Sequence, residues 1–236
     1  MKKIGLIGGM GPESTVEYYR GIIDAFKQYG QADLDYPEII IYSLNLSKLL
    51  GMMDGGRHQA AVDYLAAKLK GLEKAGADFV ALTANTPHLF FDQLQEKTPL
   101  PLLSIVEATA RQARRMKLQR PGLMGTGFTM NASFYRDGLK RHGMQLIVPT
   151  DGEKELIHHK LFSEIELGIF LDETRQRLSE IIRDMKQRDK IDGIIMGCTE
   201  LPLILPAESY HDLPVLDTMK IHIREIVAWC GGETRS

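Results

Sequence analysis

Cysteine is scarce in this chain: Cys198 and Cys230 are the only two among 236 residues. They carry no metal-ligand or redox spacing, which excludes a disulfide-stapled scaffold, a thiolate zinc site and a Cys-x-x-Cys redox centre. Long apolar runs are missing too. None approaches the roughly 20 residues that a membrane-crossing helix needs, so no membrane partner is expected. Charge of one sign is lacking: the formal net charge is −2. Without a basic stripe, neither nucleic acid nor an anionic membrane surface is an expected partner. Met1-Lys2-Lys3-Ile4 runs directly into a strand-like segment with no cleavage pattern. A cytoplasmic protein with free thiols is the simplest expectation.

What the chain does have is an internal repeat. Lys3-Ile4-Gly5-Leu6-Ile7-Gly8-Gly9 is matched by Arg120-Pro121-Gly122-Leu123-Met124-Gly125-Thr126. Val80-Ala81-Leu82-Thr83-Ala84-Asn85-Thr86 is matched by Ile194-Ile195-Met196-Gly197-Cys198-Thr199-Glu200. Leu100-Pro101-Leu102-Leu103-Ser104 is matched by Leu213-Pro214-Val215-Leu216-Asp217. Similar segments in the same order predict two similar lobes, with a cleft between them. In this register Cys198 on one side corresponds to Ala84 on the other.

Short aliphatic runs alternate with helical patterns through both halves. Residues 3–8, 38–44, 79–83 and 100–104 read as buried parallel strands, as do 122–125, 145–148, 193–196 and 214–217. Val16, Tyr19, Ile23 and Phe26 mark one helical stripe. Leu65, Leu69 and Leu72 mark another, and Leu178, Ile181, Ile182 and Met185 a third. Strands alternating with helices predict an α/β protein with parallel sheets. The helical segment 106–116 has no Pro or Gly and is expected to cross between lobes. The last helix, 219–229, is expected to return to the first. The lobes are therefore predicted as residues 1–105 with 218–236, and residues 106–217. Residues 232–236 read as a frayed tail.

Ligands of open parallel sheets bind beyond the carboxyl ends of the strands. Those places hold residues 8–15, 84–88, 125–129 and 198–200, which are rich in Gly, Thr, Ser and Asn. Helix N-termini there offer unpaired N–H groups, so a small anion, most simply a carboxylate, is the expected ligand. Gly8-Gly9-Met10-Gly11-Pro12-Glu13-Ser14-Thr15 is not a dinucleotide loop. It misses the G-x-G-x-x-G pattern, and Ser43-Leu44-Asn45 at the end of the second strand lacks the ribose-binding acid. It reads either as an anion-binding turn or as a tight βα turn with no ligand. Asn85 and Thr86 read as helix caps that could also hold a carboxylate. Cys198 reads either as a small buried hydrophobe or as a thiol at a helix N-terminus, where the dipole favours the thiolate. Glu200 is either a solvated carboxylate or a relay for the thiol proton. His88 reads as a core or surface histidine, and His158, His159, His211 and His222 show no metal-ligand context. Cys230 reads as packing.

These residues together resemble the aspartate/glutamate racemase superfamily. The carriers are Gly8–Thr15, Asn85-Thr86-Pro87-His88, Gly125-Thr126 through Thr129, and Gly197-Cys198-Thr199-Glu200, and the resemblance covers essentially the whole chain. It implies two flavodoxin-like α/β lobes with parallel sheets, related by pseudo-twofold symmetry, with the active site between them. It also implies amino-acid racemisation without pyridoxal phosphate, other cofactor or metal, and a homodimer. In such chemistry two thiols face opposite sides of an α-carbon; one removes the proton and the other returns one. The resemblance assigns proton transfer to Cys198, with Glu200 beside it. Asn85, Thr86, Thr126, Thr129 and Thr199 would hold the α-carboxylate and ammonium, and Met10 would line the pocket.

The chain departs from the family in two places. Where members usually carry the first catalytic thiol, immediately before the Asn-Thr pair, it has Ala84, which cannot move a proton. Thr83 is next in line as a weak donor, yet strand alternation turns it to the other face. Where acidic-substrate members carry a basic residue after the second strand, the chain reads Leu49-Leu50-Gly51-Met52-Met53, with Lys48 and Arg57 only flanking. A buried acidic side chain needs a charged or hydrogen-bonded partner, so a less acidic amino acid is expected. Three functions fit: a racemase or epimerase of slow or directional turnover, a one-cysteine decarboxylase of malonate-type substrates, and a degenerate amino-acid-binding homologue.

Overall fold

A computed structural model describes residues 1–28 and 35–232. The chain divides into two compact units: Met1–Ser104 together with the segment from His222 onward, and Ile105–Ile221. The last helix thus begins in the second unit and ends in the first, rather than changing lobe before it starts at 218. Past Gly232, the tail expected to fray lies outside the described residues.

The first unit carries β1 (Ile4–Gly8), α1 (Pro12–Gln28), β2 (Ile39–Ser43), α2 (Leu46–Asp54), α3 (His58–Lys74) and β3 (Phe79–Leu82). A 3-10 turn over Thr86–Phe90, α4 (Phe91–Gln95) and β4 (Leu102–Leu103) follow. Its strands are all parallel, in the order β2-β1-β3-β4. The aliphatic runs in β1 and β3 make fully buried central strands. Leu65, Leu69 and Leu72 of α3 are buried as their spacing predicts. On α1 the stripe is displaced. Val16 and Tyr19 are exposed, and the buried line is Thr15, Tyr18, Ile22 and Phe26. Tyr18 is amphipathic: its ring packs inward while its hydroxyl meets the buried His222 ring at 3.0 Å. An apolar-only count therefore gave the wrong phase.

The second unit carries α5 (Ile105–Arg115), β5 (Pro121–Gly125), α6 (Gly127–Asn131), α7 (Phe134–Arg141) and α8 (Asp151–Ser163). A 3-10 turn over Ile165–Leu167, α9 (Asp172–Asp189), β6 (Gly193–Gly197), α10 (Leu201–Ile204), β7 (Ser209–Tyr210) and β8 (Leu213–Asp217) follow, and α11 (Thr218–Cys230) starts in this unit and runs into the first from His222. The order is β5-β6-β8-β7. Two points differ from the sequence reading. Residues 145–148 form only an isolated parallel bridge, Gly122 to Ile147, instead of a strand. The sheet is also mixed rather than parallel, because β7 pairs antiparallel with β8. The strand alternation feeds two cores. Leu123, Ile195 and Leu216 belong to one cluster with α5 and α7; Met124, Ile194 and Met196 belong to another with α8 and α9. Leu178, Ile181, Ile182 and Met185 of α9 fill the second cluster, as their period predicts.

The two sheets share one plan. Each central strand (β1, β5) is flanked on one side by a parallel segment (β2, the Ile147 bridge). On the other side lie the later strands (β3 and β4, β6 and β8). The internal repeat of the sequence is a repeat of strand order.

Candidate active site

In the first unit, β1 ends in the glycine-rich turn. Gly9 adopts φ +82, and a Cβ there would sit 2.5 Å from the Leu44 carbonyl oxygen, so only glycine fits. The Gly9 amide donates to Thr15 Oγ1 at 2.8 Å, and the Thr15 and Ser14 hydroxyls both donate to the Gly11 carbonyl at 3.0 Å. These groups close the turn on itself, in line with a tight βα turn. Met10 is buried within it.

The end of β3 carries Thr83, Ala84, Asn85 and Thr86. Thr83 is fully buried, and its hydroxyl donates to the Ile7 carbonyl at 3.2 Å. Ala84 is buried and brings no titratable group. Asn85 precedes the 3-10 turn but does not cap it with its side chain, contrary to the expected cap, and Thr86 lies inside that turn. The Asn85 side chain is buried all the same. His88 is also buried, with Nδ1 3.0 Å from the Ala84 carbonyl oxygen. A hydrogen on Nδ1 satisfies that contact. Burial pulls its pKa down to about 4. His222 is buried likewise, its Nε2 3.1 Å from the Leu103 carbonyl oxygen. Burial and the neighbouring His88 pull its pKa down to about 3. Since a carbonyl only accepts, Nε2 bears the hydrogen, and Nδ1 accepts from the Tyr18 hydroxyl. His88 and His222 are thus uncharged core groups near neutral pH.

The end of β6 is chemically different. Cys198 is buried, and its sulfur lies 3.1 Å from Glu200 Oε2 and 3.7 Å from Glu166 Oε1. The Thr199 hydroxyl donates to the same Glu200 oxygen at 2.7 Å. The other oxygen, Glu200 Oε1, is buried with no hydrogen-bond partner among the described residues, and Glu200 is only 3% exposed. Thr126 caps α6, its hydroxyl accepting from the Thr129 amide at 3.3 Å, and the two hydroxyls are 3.2 Å apart. Thr129 packs beside Gly125 and Gly197, the residue before Cys198. A Cβ on Gly125 would meet the Gly197 carbonyl oxygen at 2.8 Å, so the close approach of these strand ends needs glycine.

The expected lowering of the thiol pKa does not occur. Burial, and then the charges of Glu200 and Glu166, push the Cys198 thiol well above its ordinary value. The helix that follows, α10, is a single turn, too little to offset two carboxylates. Cys198 therefore rests as a thiol that donates to carboxylate oxygen. Glu200 is neither solvated nor distant: it is the partner of that thiol.

Glu166 was not anticipated from the sequence. It lies on the 3-10 turn after α8, which the buried Ile165 anchors and Gly168 ends with φ +74. The Gly168 amide donates to the Ile165 carbonyl at 3.0 Å. Gly168 signals the turn, but nothing in the sequence signals that the turn folds back onto Cys198. Burial and the nearby Glu200 raise the Glu166 carboxyl to about 7. The donor atoms of Glu166, Cys198 and Glu200 all lie within 4.8 Å of one another, a set able to hold a divalent cation. Among the described residues no helix is long and apolar enough to cross a membrane. Cys230 is a packing residue whose thiol donates to the Lys2 carbonyl at 3.1 Å.

The chain matches the Asp/Glu/Hydantoin racemase family over residues 7–226, and it belongs to that family. Within the family it is similar to the broad-specificity amino-acid racemase RacX of Bacillus subtilis. The two are 29% identical, over 91% of this chain and 92% of that protein. Among solved structures, an aspartate racemase homologue from Pyrococcus horikoshii is 35% identical with a TM-score of 0.83, over 98% of this chain and all of the other. A candidate Asp/Glu racemase from Yersinia pestis is 34% identical with a TM-score of 0.89, over 98% and 99% of the two chains.

Proposed function

We propose that this protein is an amino-acid racemase or epimerase in which the Cys198 thiol gives a proton to, or as thiolate takes one from, the α-carbon of its substrate. The observation that carries this reading is the buried thiol 3.1 Å from Glu200 Oε2. A buried thiol flanked by carboxylates is a weak acid, so its thiolate is a strong base once formed. Glu200 Oε2 is placed to accept the thiol proton, and the Thr199 hydroxyl holds that oxygen in position. General acid–base transfer of this kind contributes about 10²- to 10⁴-fold. The Thr126, Thr129 and Thr199 hydroxyls, with Asn85 and Thr86, are the groups assigned to the substrate's α-carboxylate and ammonium, and Met10 to the pocket wall. The broad specificity named for the Bacillus subtilis relative supports a substrate class wider than aspartate and glutamate.

Inversion needs a second proton carrier, and the matching position in the first unit is Ala84. The Thr83 hydroxyl already donates to Ile7. The racemase proposed is therefore slow, or faster in one direction. Ala84 also favours a second reading: a one-faced reaction in which Cys198 alone protonates a planar intermediate, as in decarboxylation of a malonate-type substrate.

Proton NMR in deuterium oxide across a panel of L-amino acids, with product chirality, tests both. Loss of the α-proton signal with inversion is the expected result. Exchange with retention supports the one-faced reaction. Exchange that survives Cys198→Ala removes Cys198 from the mechanism.

A further inference from the structure

Among the described residues, the carboxylates beside Cys198 have no counter-charge. Neither Glu166 nor Glu200 forms an ion pair, and no Lys, Arg or His contributes to the field at Glu166 or Cys198 among the described residues. Glu200 is 3% exposed with one oxygen unpartnered, and buried carboxylates are stable only when paired or hydrogen-bonded. Lys160, a few residues before Glu166, is committed to Glu164 instead. Glu164 also takes the Thr174 hydroxyl at 2.5 Å. Among the described residues the chain thus leaves two carboxyl groups around its thiol, one of them, Glu166, pushed up to about 7, and supplies no cation to them.

A free α-amino acid carries one ammonium and one carboxylate. Its α-ammonium can neutralise one of the two glutamates. An aspartate or glutamate substrate would then bring a third carboxylate into the same field, and like charges at close range are repulsive. A side chain ending in ammonium or guanidinium would instead meet the second glutamate with the opposite charge. Resting on the racemase reading above, we infer that the substrate class is amino acids with cationic side chains, from diaminopropionate through ornithine to lysine and arginine, with Glu166 as the side-chain partner. Glu166 fits the specificity role better than Glu200 does. It is half-buried rather than buried, it lies on a turn outside the strand-end motif, and its oxygen is the farther of the two from the sulfur, 3.7 against 3.1 Å.

The test uses the full chain and deuterium exchange at the α-carbon for 2,3-diaminopropionate, 2,4-diaminobutyrate, ornithine, lysine, arginine, alanine, aspartate and glutamate. Wild type is expected to favour the best cationic substrate over aspartate by about tenfold or more in kcat/KM, the scale of a close charge pair. Glu166→Gln keeps the shape and removes the charge, so that ratio should fall towards one. The ratio is the readout because a general loss of catalysis would lower both terms equally. Aspartate or glutamate exchanging fastest in wild type overturns the inference and leaves the racemase reading standing. Equal slowing of every substrate by Glu166→Gln also overturns it. Exchange with no amino acid removes the racemase reading, and thermal shift then decides the ligand class. Stabilisation by ornithine but not aspartate, lost in Glu166→Gln, supports the cationic ligand; no such difference overturns it. Stabilisation by Zn²⁺ alone, lost in Glu166→Gln and with no ornithine effect, assigns the cluster to a metal and overturns it as well.

Discussion

The segments after β3 and β6 hold matching places in two sheets of the same strand order, yet their polar atoms are used differently. After β3, the Thr83 hydroxyl and Nδ1 of His88 find partners within the first unit, as do both nitrogens of His222 on α11. Three of those partners are backbone carbonyls, those of Ile7, Ala84 and Leu103. After β6, a thiol faces two carboxylates, and one carboxylate oxygen has no partner. The first arrangement is that of a satisfied core. The second is costly to stability, because buried polar groups without partners destabilise a fold. A repeated fold can thus keep its strand order in both units while gathering titratable groups at one strand end.

The largest expected effect breaks the chemical half of that comparison. Cys198→Ala should lower α-proton exchange by about 10²- to 10⁴-fold, the range of a lost acid–base group. Its thermal midpoint should change little, since S–H is a weak donor and Glu200 Oε2 keeps the Thr199 hydroxyl. Exchange rates together with a melting curve check both halves of this expectation.

The next effect tests the structural half. His88 and His222 are pulled down to about 4 and about 3, against an unfolded value of about 6.5. Their neutral forms are favoured in the fold, so their contribution is complete above pH 6.5 and is lost as pH falls towards 4 and 3. For His88 alone the loss is on the order of 3 kcal/mol. Urea midpoints between pH 7 and pH 4 should fall steeply. A profile that stays flat to pH 4 would mean that neither ring is held neutral by burial.

Much of this contrast was legible in the sequence, for reasons that differ by element. The strands β1, β3, β5 and β6 announce themselves because buried parallel strands are short apolar runs, closed by glycine in β1, β5 and β6 and by Thr83 in β3. Cys198 and Ala84 were set against each other by the repeat alone. The stripe on α1 was misread because Tyr18 buries its ring through a polar hydroxyl that an apolar pattern cannot count. Residues 145–148 look like a strand but make one bridge, and β7 is too short to leave a pattern. Glu166 was invisible for a deeper reason. Its meeting with Cys198 is a tertiary contact across 32 residues of sequence, and an acidic residue on a short turn ordinarily reads as solvated. The direction of the thiol pKa was missed for the same reason, since burial and Glu166 outweigh a local helix end.

A smaller effect would sharpen the comparison by making the two strand ends alike. Ala84→Cys gives the first unit the thiol that its counterpart has. If position 84 serves the face opposite Cys198, exchange with inversion should rise about tenfold relative to exchange with retention. An unchanged ratio of inversion to retention would place the second proton carrier elsewhere, or support the one-faced reaction.

The smallest effect concerns Tyr18→Phe, and it asks whether the first unit's polar groups are structural only. The change removes the hydroxyl that donates to His222 Nδ1 at 3.0 Å. Nδ1 is then a buried acceptor without its donor, which costs about 1–2 kcal/mol. Shifting the hydrogen to Nδ1 in the other tautomer would not help, because Nε2 would then face the Leu103 carbonyl without a proton. Stability by urea titration should therefore fall while the exchange rate of the folded protein stays unchanged, the reverse of Cys198→Ala. Should Tyr18→Phe instead slow exchange at full stability, the Tyr18–His222 pair would belong to the chemistry, and the division between a structural and a chemical strand end would fail.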